Sequence, residues 1–149
     1  MSIDENQLRL CAQTCAALML RSAGRAVTRA YGGALAGVSL EVTQFTLLVA
    51  AGLSPGVTVS RLAEVLVMDR SALARNLGIL ERHGLVRLAT GKDKRTRCVS
   101  LTDQGQVVLA DALPLWQRAQ DRTQAVFGAE RLANLLSELR AFLTAMEDF

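Results

Sequence analysis

Between residues 58 and 101 the sequence alternates caps, apolar faces and a glycine stop so closely that few arrangements of the chain can satisfy all of them. Thr58 is placed to cap a helix over 59–66 that turns Leu62 and Leu66 inward, and the chain then turns at Val67-Met68. Asp69 caps a second helix, 70–83, in which Leu73, Leu77 and Leu80 recur at spacings of four and three and so share one face. Gly84 follows as a residue free to adopt the left-handed conformation that ends many helices. Residues 85–88 and 97–101 then read as two strands joined by the polar, basic stretch 89–96.

The flanks read as helix. Residues 6–35 contain no proline and are expected to form one long helix, weakened at Gly24 and frayed or ended at Gly32-Gly33. Ser39 is a plausible N-cap for a helix over 40–51, and Leu53-Ser54-Pro55-Gly56 breaks the chain before the central stretch. Downstream, Thr102 is placed to cap a helix over 103–127, Gly128 interrupts it, and a last helix covers 129–146. The expected fold is mainly α (α+β), a single chain over 1–149. In it a winged helix-turn-helix with a two-stranded wing (39–101) is flanked by helical regions at 6–35 and 103–147.

Charge is concentrated in the same place. Residues 61–97 hold nine lysines and arginines against four acidic residues, a local +5 within a chain of net charge +3. A basic middle between near-neutral flanks fits a nucleic-acid contact surface, although a solvated charged face has the same look. On the helix over 70–83, the face opposite the leucines carries Arg70, Ser71, Ala74, Arg75 and Gly78. It is slender enough for a major groove about 12 Å wide.

Other function classes find little support. Half of the residues are hydrophobic, yet no uncharged apolar run approaches the roughly 20 residues of a membrane span, so no membrane partner is expected. The first ten residues lack the layout of a signal peptide, and a cytoplasmic location is expected. Cys11, Cys15 and Cys98 have no metal-finger spacing, and an odd count argues for free thiols. The single histidine, His83, precedes the helix-ending glycine and is better suited to the helix terminus than to catalysis. Without a phosphate-binding glycine loop, a nucleophile elbow or a second histidine, neither an enzyme nor a bound cofactor or metal is expected.

Two segments carry a resemblance to a known family. One runs Val57-Thr58-Val59-Ser60-Arg61-Leu62-Ala63-Glu64-Val65-Leu66, then Met68-Asp69-Arg70-Ser71-Ala72-Leu73-Ala74-Arg75-Asn76-Leu77 and Leu80-Glu81-Arg82-His83-Gly84-Leu85-Val86. The other, Asp93-Lys94-Arg95-Thr96-Arg97-Cys98-Val99-Ser100-Leu101-Thr102-Asp103-Gln104-Gly105, fits the pattern D-x-R-x-x-x-V-x-L-T-x-x-G at every fixed position. On these the chain resembles the MarR family of winged-helix transcriptional regulators. The resemblance implies sequence-specific binding of double-stranded DNA, as a repressor, with the helix over 70–83 in the major groove and the wing at the adjacent minor groove. Ser60, Arg61, Arg70, Ser71 and Arg75 are then the expected contacts of the helix-turn-helix, and Lys92, Asp93, Lys94 and Arg95 those of the wing. Arg95 is the candidate for insertion into a narrow minor groove, with Asp93 orienting its guanidinium, while Lys92 and Lys94 meet phosphate. A winged domain used for protein contacts without DNA is the competing reading.

The resemblance also implies a homodimer built through the N- and C-terminal helices, reading a pseudo-palindromic operator. The apolar stripe Leu132, Leu135, Leu136, Leu139, Phe142, Leu143 and Met146 suits that role, or packing within its own subunit. Two control signals remain open. One is a small effector such as an aromatic or phenolic compound, for which Arg21, Arg25 and Arg29 can offer a guanidinium; they can equally pair with Glu41. The other is oxidation of Cys11 or Cys15, four apart on the expected first helix and on one side with cations; both also fit as ordinary core residues.

Overall fold

The computed structural model describes residues 3–91 and 93–146. Among the described residues seven α-helices and three strands follow in the order α1 (Glu5–Thr14), α2 (Ala16–Leu35), α3 (Val42–Leu53), β1 (Val57–Thr58), α4 (Val59–Val65), α5 (Arg70–Arg82), β2 (Val86–Thr90), β3 (Arg97–Leu101), α6 (Asp103–Phe127) and α7 (Ala129–Met146). The sheet is antiparallel in the order β1-β3-β2, with Val99 opposite both Val57 and Leu88.

The core lies under the central module. Leu62 from α4, Leu73, Leu77 and Leu80 from α5, Leu47 and Leu48 from α3, Leu35 from α2 and Val99 from β3 are each at most 2% exposed. Full burial of one such side chain contributes roughly 1.5–3 kcal/mol. The three-four spacing of the α5 leucines therefore translates directly into packing, and it leaves Arg70, Ser71, Ala74 and Arg75 outside.

Several expectations hold to the residue. Thr58 accepts the N–H of Arg61, Asp69 those of Ser71 and Ala72, and Thr102 that of Gly105, each capping the helix assigned to it. Gly84 and Gly128 both have positive φ, 70° and 96°. α6 and α7 match the expected bounds.

Three expectations are corrected. The first helix is not continuous: Cys15 is extended (φ −71°, ψ 105°) and separates α1 from α2. The hydroxyl of Thr14 donates to the carbonyl of Leu10 at 2.8 Å, the side-chain bond that bends helices, and no residue of α1 is buried to hold it straight. α2 ends at Leu35, the expected bound, but Gly32-Gly33 lie within it and neither fray nor end it, because Leu35 beyond them is anchored in the core. Ser39 caps nothing downstream; it closes a 3-10 turn, Ala36–Val38, in the left-handed conformation (φ 55°). Glu41 is the N-cap of the next helix instead, its N–H donating to Gln44 Oε1 at 3.1 Å. β1 adds a third strand to the expected two, and at two residues it is too short to carry a periodicity that sequence can show.

The junction between wing and α6 explains the L-T-x-x-G end of the motif. Thr102 donates its hydroxyl to the carbonyl of Gly84 and its N–H to that of Leu85, while its oxygen caps α6. The first turn of α6 lies so close to the residue that precedes β2 that a Cβ on Gly105 would overlap the Leu85 carbonyl. Only glycine permits that approach.

Candidate nucleic-acid interface

Two exposed elements stand on the packed module. α4 ends in a turn whose hydrogen bonds, Val67 N–H to Glu64 carbonyl (3.1 Å) and Met68 N–H to Ala63 carbonyl (2.9 Å), form a Schellman closure. Val67 occupies its left-handed position at φ 49° and is 71% exposed. Two residues later Asp69 opens α5. Its Oδ1 accepts the N–H of Ser71 at 2.6 Å, the hydroxyl of Ser71 at 2.5 Å and the N–H of Ala72 at 3.1 Å. The Ser71 hydroxyl, the Ala72 and Ser71 amides and, further off, the charge of Arg75 hold the Asp69 carboxyl below its ordinary pKa.

At the wing, Asp93 organises the tip. Its Oδ1 accepts the N–H of Arg95 at 3.0 Å, its carbonyl accepts the N–H and hydroxyl of Thr96, and Oδ2 stands 3.6 Å from the Arg95 guanidinium. The Arg95 side chain is nonetheless 91% exposed. Asp93 thus shapes the turn and faces the guanidinium while leaving it accessible. Lys94 is exposed as well; Lys92 lies outside the described residues.

Of the remaining expected contacts, Ser60 is exposed, and Arg61 is exposed but pairs with Glu64 at 3.2 Å. The other expected sites lie on α1 and α2, away from this module. Arg21, Arg25 and Arg29 are exposed; Arg25 donates to Ser22 at 3.0 Å, and no ion pair joins the three to Glu41 among the described residues. Cys11 is exposed on α1 and Cys15 is half-buried at the break that follows, so the two no longer belong to one helix.

Sequence reasoning missed two features. One is the cavity of about 690 Å³ between α2, α6 and α7, lined mostly by apolar groups, with Tyr31 and Arg122 among its walls and without Arg21, Arg25 or Arg29. Tyr31 donates to Gln120 Oε1 at 2.6 Å across that helix pair. The other is the engagement of the Ser71 hydroxyl by Asp69, for which the spacing of two was the available signal.

The module and its wing match known proteins. Residues 37–96, from the 3-10 turn to the wing tip, match the model of the MarR family. The transcriptional regulator HosA of Escherichia coli O127:H6 is 34% identical over 92 residues, which cover 61% of this chain and 68% of HosA. The transcriptional regulator MosR of Mycobacterium tuberculosis, in complex with DNA, is 36% identical over 85% of this chain and 97% of its own, with a TM-score of 0.73. The chain belongs to the MarR family. The transcriptional repressor CouR, bound to a 23-mer DNA duplex, superposes over 96% of this MarR-family chain and 99% of its own, at a TM-score of 0.80 and 26% identity. The likeness thus includes the outer helices, which the family model leaves out. As a MarR-family member the chain is a transcriptional regulator and not an enzyme.

Proposed function

We propose that this regulator is a sequence-specific repressor that binds double-stranded DNA as a homodimer, laying α5 in the major groove and the 93–95 wing tip against the adjacent minor groove. The observation that carries the reading is the wing tip, where Asp93 builds the turn and Arg95 projects from it almost wholly exposed. An exposed guanidinium on a braced turn suits the negative potential of a narrow minor groove. On α5, Arg70 and Arg75 supply donors for base edges or phosphate, and Lys94 adds charge. MosR and CouR, each solved with DNA, support the choice of ligand.

The outer helices support a dimer. Leu18, Met19 and Val27 of α2 and Leu135, Leu136, Phe142, Leu143 and Met146 of α7 are all large, apolar and exposed, and Leu132 alone is buried in α7. A second copy is the expected cover. For the control signal, an aromatic or phenolic acid is favoured over thiol oxidation by the cavity between α2, α6 and α7, which is of ligand size and offers the cation of Arg122 to a carboxylate. Such a compound releases DNA only by binding the free and DNA-bound conformations unequally.

A duplex-binding titration over a range of salt concentrations, with light scattering of the complex, tests the reading. Steep salt dependence and two chains per operator are expected. Arg95→Ala should weaken operator binding by about 1–3 kcal/mol with no loss of folding. Salt-independent binding, or an Arg95→Ala variant that binds like wild type, refutes this docking.

A further inference from the structure

We infer that Ser71 meets DNA as a hydrogen-bond acceptor only, and that it selects the exocyclic amino group of adenine or cytosine in the major groove. The inference rests on the DNA-binding reading above and names the atoms that one side chain reads. A serine hydroxyl owns one proton and two lone pairs. In Ser71 the proton is committed, because Oγ lies 2.5 Å from Asp69 Oδ1 and an ionised carboxylate has no proton to offer in return. Asp69 is kept ionised by the two amide donors that share the same oxygen. The bond therefore runs from Ser71 to Asp69, and what Oγ presents outward on an exposed residue is its lone pairs.

This polarity separates Ser71 from its neighbours. Arg70 and Arg75 carry donors and no acceptor, so they suit guanine O6 and N7, thymine O4 or phosphate oxygen. Ser71 suits none of these. Against phosphate it would set lone pair against lone pair, with the negative charge of Asp69 adding repulsion. Adenine N6 and cytosine N4 are the donors that a major groove displays, and they are what an acceptor at this position can bind. Asp69 acts through Ser71 as a positioning residue: by holding the hydroxyl proton it converts an ambivalent side chain into a directional one.

Selection of binding sites from a randomised duplex pool tests this with wild-type protein, Ser71→Ala and Ser71→Thr. Wild type and Ser71→Thr, which keeps the hydroxyl, should share one position per half-site where adenine or cytosine on one strand is favoured by roughly fivefold or more. Ser71→Ala should lose that preference and keep the others. Replacing the favoured adenine by purine, or the cytosine by 2-pyrimidinone, removes the amino group and should weaken wild type by the same factor while leaving Ser71→Ala unaffected. The assignment is overturned if Ser71→Ala retains every preference. It is equally overturned if that variant weakens uniformly on all sequences with a shallower salt dependence, the signature of a lost phosphate contact. Ser71 is exposed and alanine favours helix, so the variant folds. Wild-type protein that enriches no sequence refutes the DNA-binding reading itself, and is recognised before any variant is compared.

Discussion

The central module and the outer helices contain the same kinds of residue and put them to different use. In α3 to β3 most of the large leucines are shielded by their own chain, down to 0% exposure at Leu48, Leu73 and Leu80, and Leu53 at the very end of α3 is the exception at 80%. In α2 and α7 equally large groups stand 37–62% exposed, Phe142 and Met19 among them. The module closes a core of its own beneath a charged face, whereas the outer helices leave a broad apolar face exposed. Hydrophobic content alone does not distinguish the two situations, because a stripe facing a neighbour and a stripe awaiting one are written alike.

Glycine substitutions probe that difference most sharply. In the module, Gly105→Ala should lower unfolding free energy by about 3 kcal/mol or more, read as a fall in the urea midpoint, since the new methyl meets the Leu85 backbone and no side chain can yield. Helix propensity alone would assign this change the opposite sign.

A smaller effect is expected within the module at its two helix endings. α4 and α5 close with the same hydrogen-bond pair, the second through Gly84 N–H to Glu81 and Leu85 N–H to Leu80, both 2.9 Å. One closure uses glycine at the left-handed position and the other uses Val67, a β-branched residue that disfavours it. Val67→Gly should therefore raise stability by about 1 kcal/mol, after allowing for the extra freedom of glycine in the unfolded chain. A loss of stability in thermal denaturation would mean that the exposed valine makes a contact the strain sustains.

On α2, a Cβ at Gly24 meets nothing within 4 Å, so Gly24→Ala should stabilise by roughly 0.5–1 kcal/mol. If the same measurement shows destabilisation that grows with protein concentration, the backbone of a second copy approaches Gly24 in the proposed dimer. The comparison between module and outer helix would then be one between two buried glycines.

The smallest effect concerns pH. Asp69 is held below its ordinary pKa in the folded chain, chiefly by the Ser71 hydroxyl and the two amides. Its contribution is thus present above the ordinary aspartate value and is lost as pH falls below about 4 through the lowered one. Asp69→Asn should flatten that part of the acid limb of the stability curve. An unchanged acid limb would deny Asp69 its role as the ionised cap.

Much of the module was legible because its signals are local. A capping side chain acts two or three residues away, a leucine face repeats every turn, and Gly84 and Gly128 mark their own helix ends. The wing motif was legible as a pattern and its reason was not: the glycine of L-T-x-x-G answers to Leu85, twenty residues earlier in the chain and adjacent only once β2 has paired with β3, Val86 opposite Leu101. Ser39 had the right chemistry for a cap, but the 3-10 turn before it placed its backbone in the left-handed region and passed the cap to Glu41. Among the expected contacts, exposure was readable on Arg70 and Arg75, whereas the direction of the Ser71 hydrogen bond was not.

The sequence by itself determined the helix-turn-helix, the wing, the basic surface and the family, because spacing and capping act within a few residues along the chain. Tertiary structure decided the third strand, the cavity beside Arg122 and which face of each outer helix is left exposed. Those depend on groups far apart in sequence, whose meeting is settled by how the whole chain excludes water and satisfies its backbone.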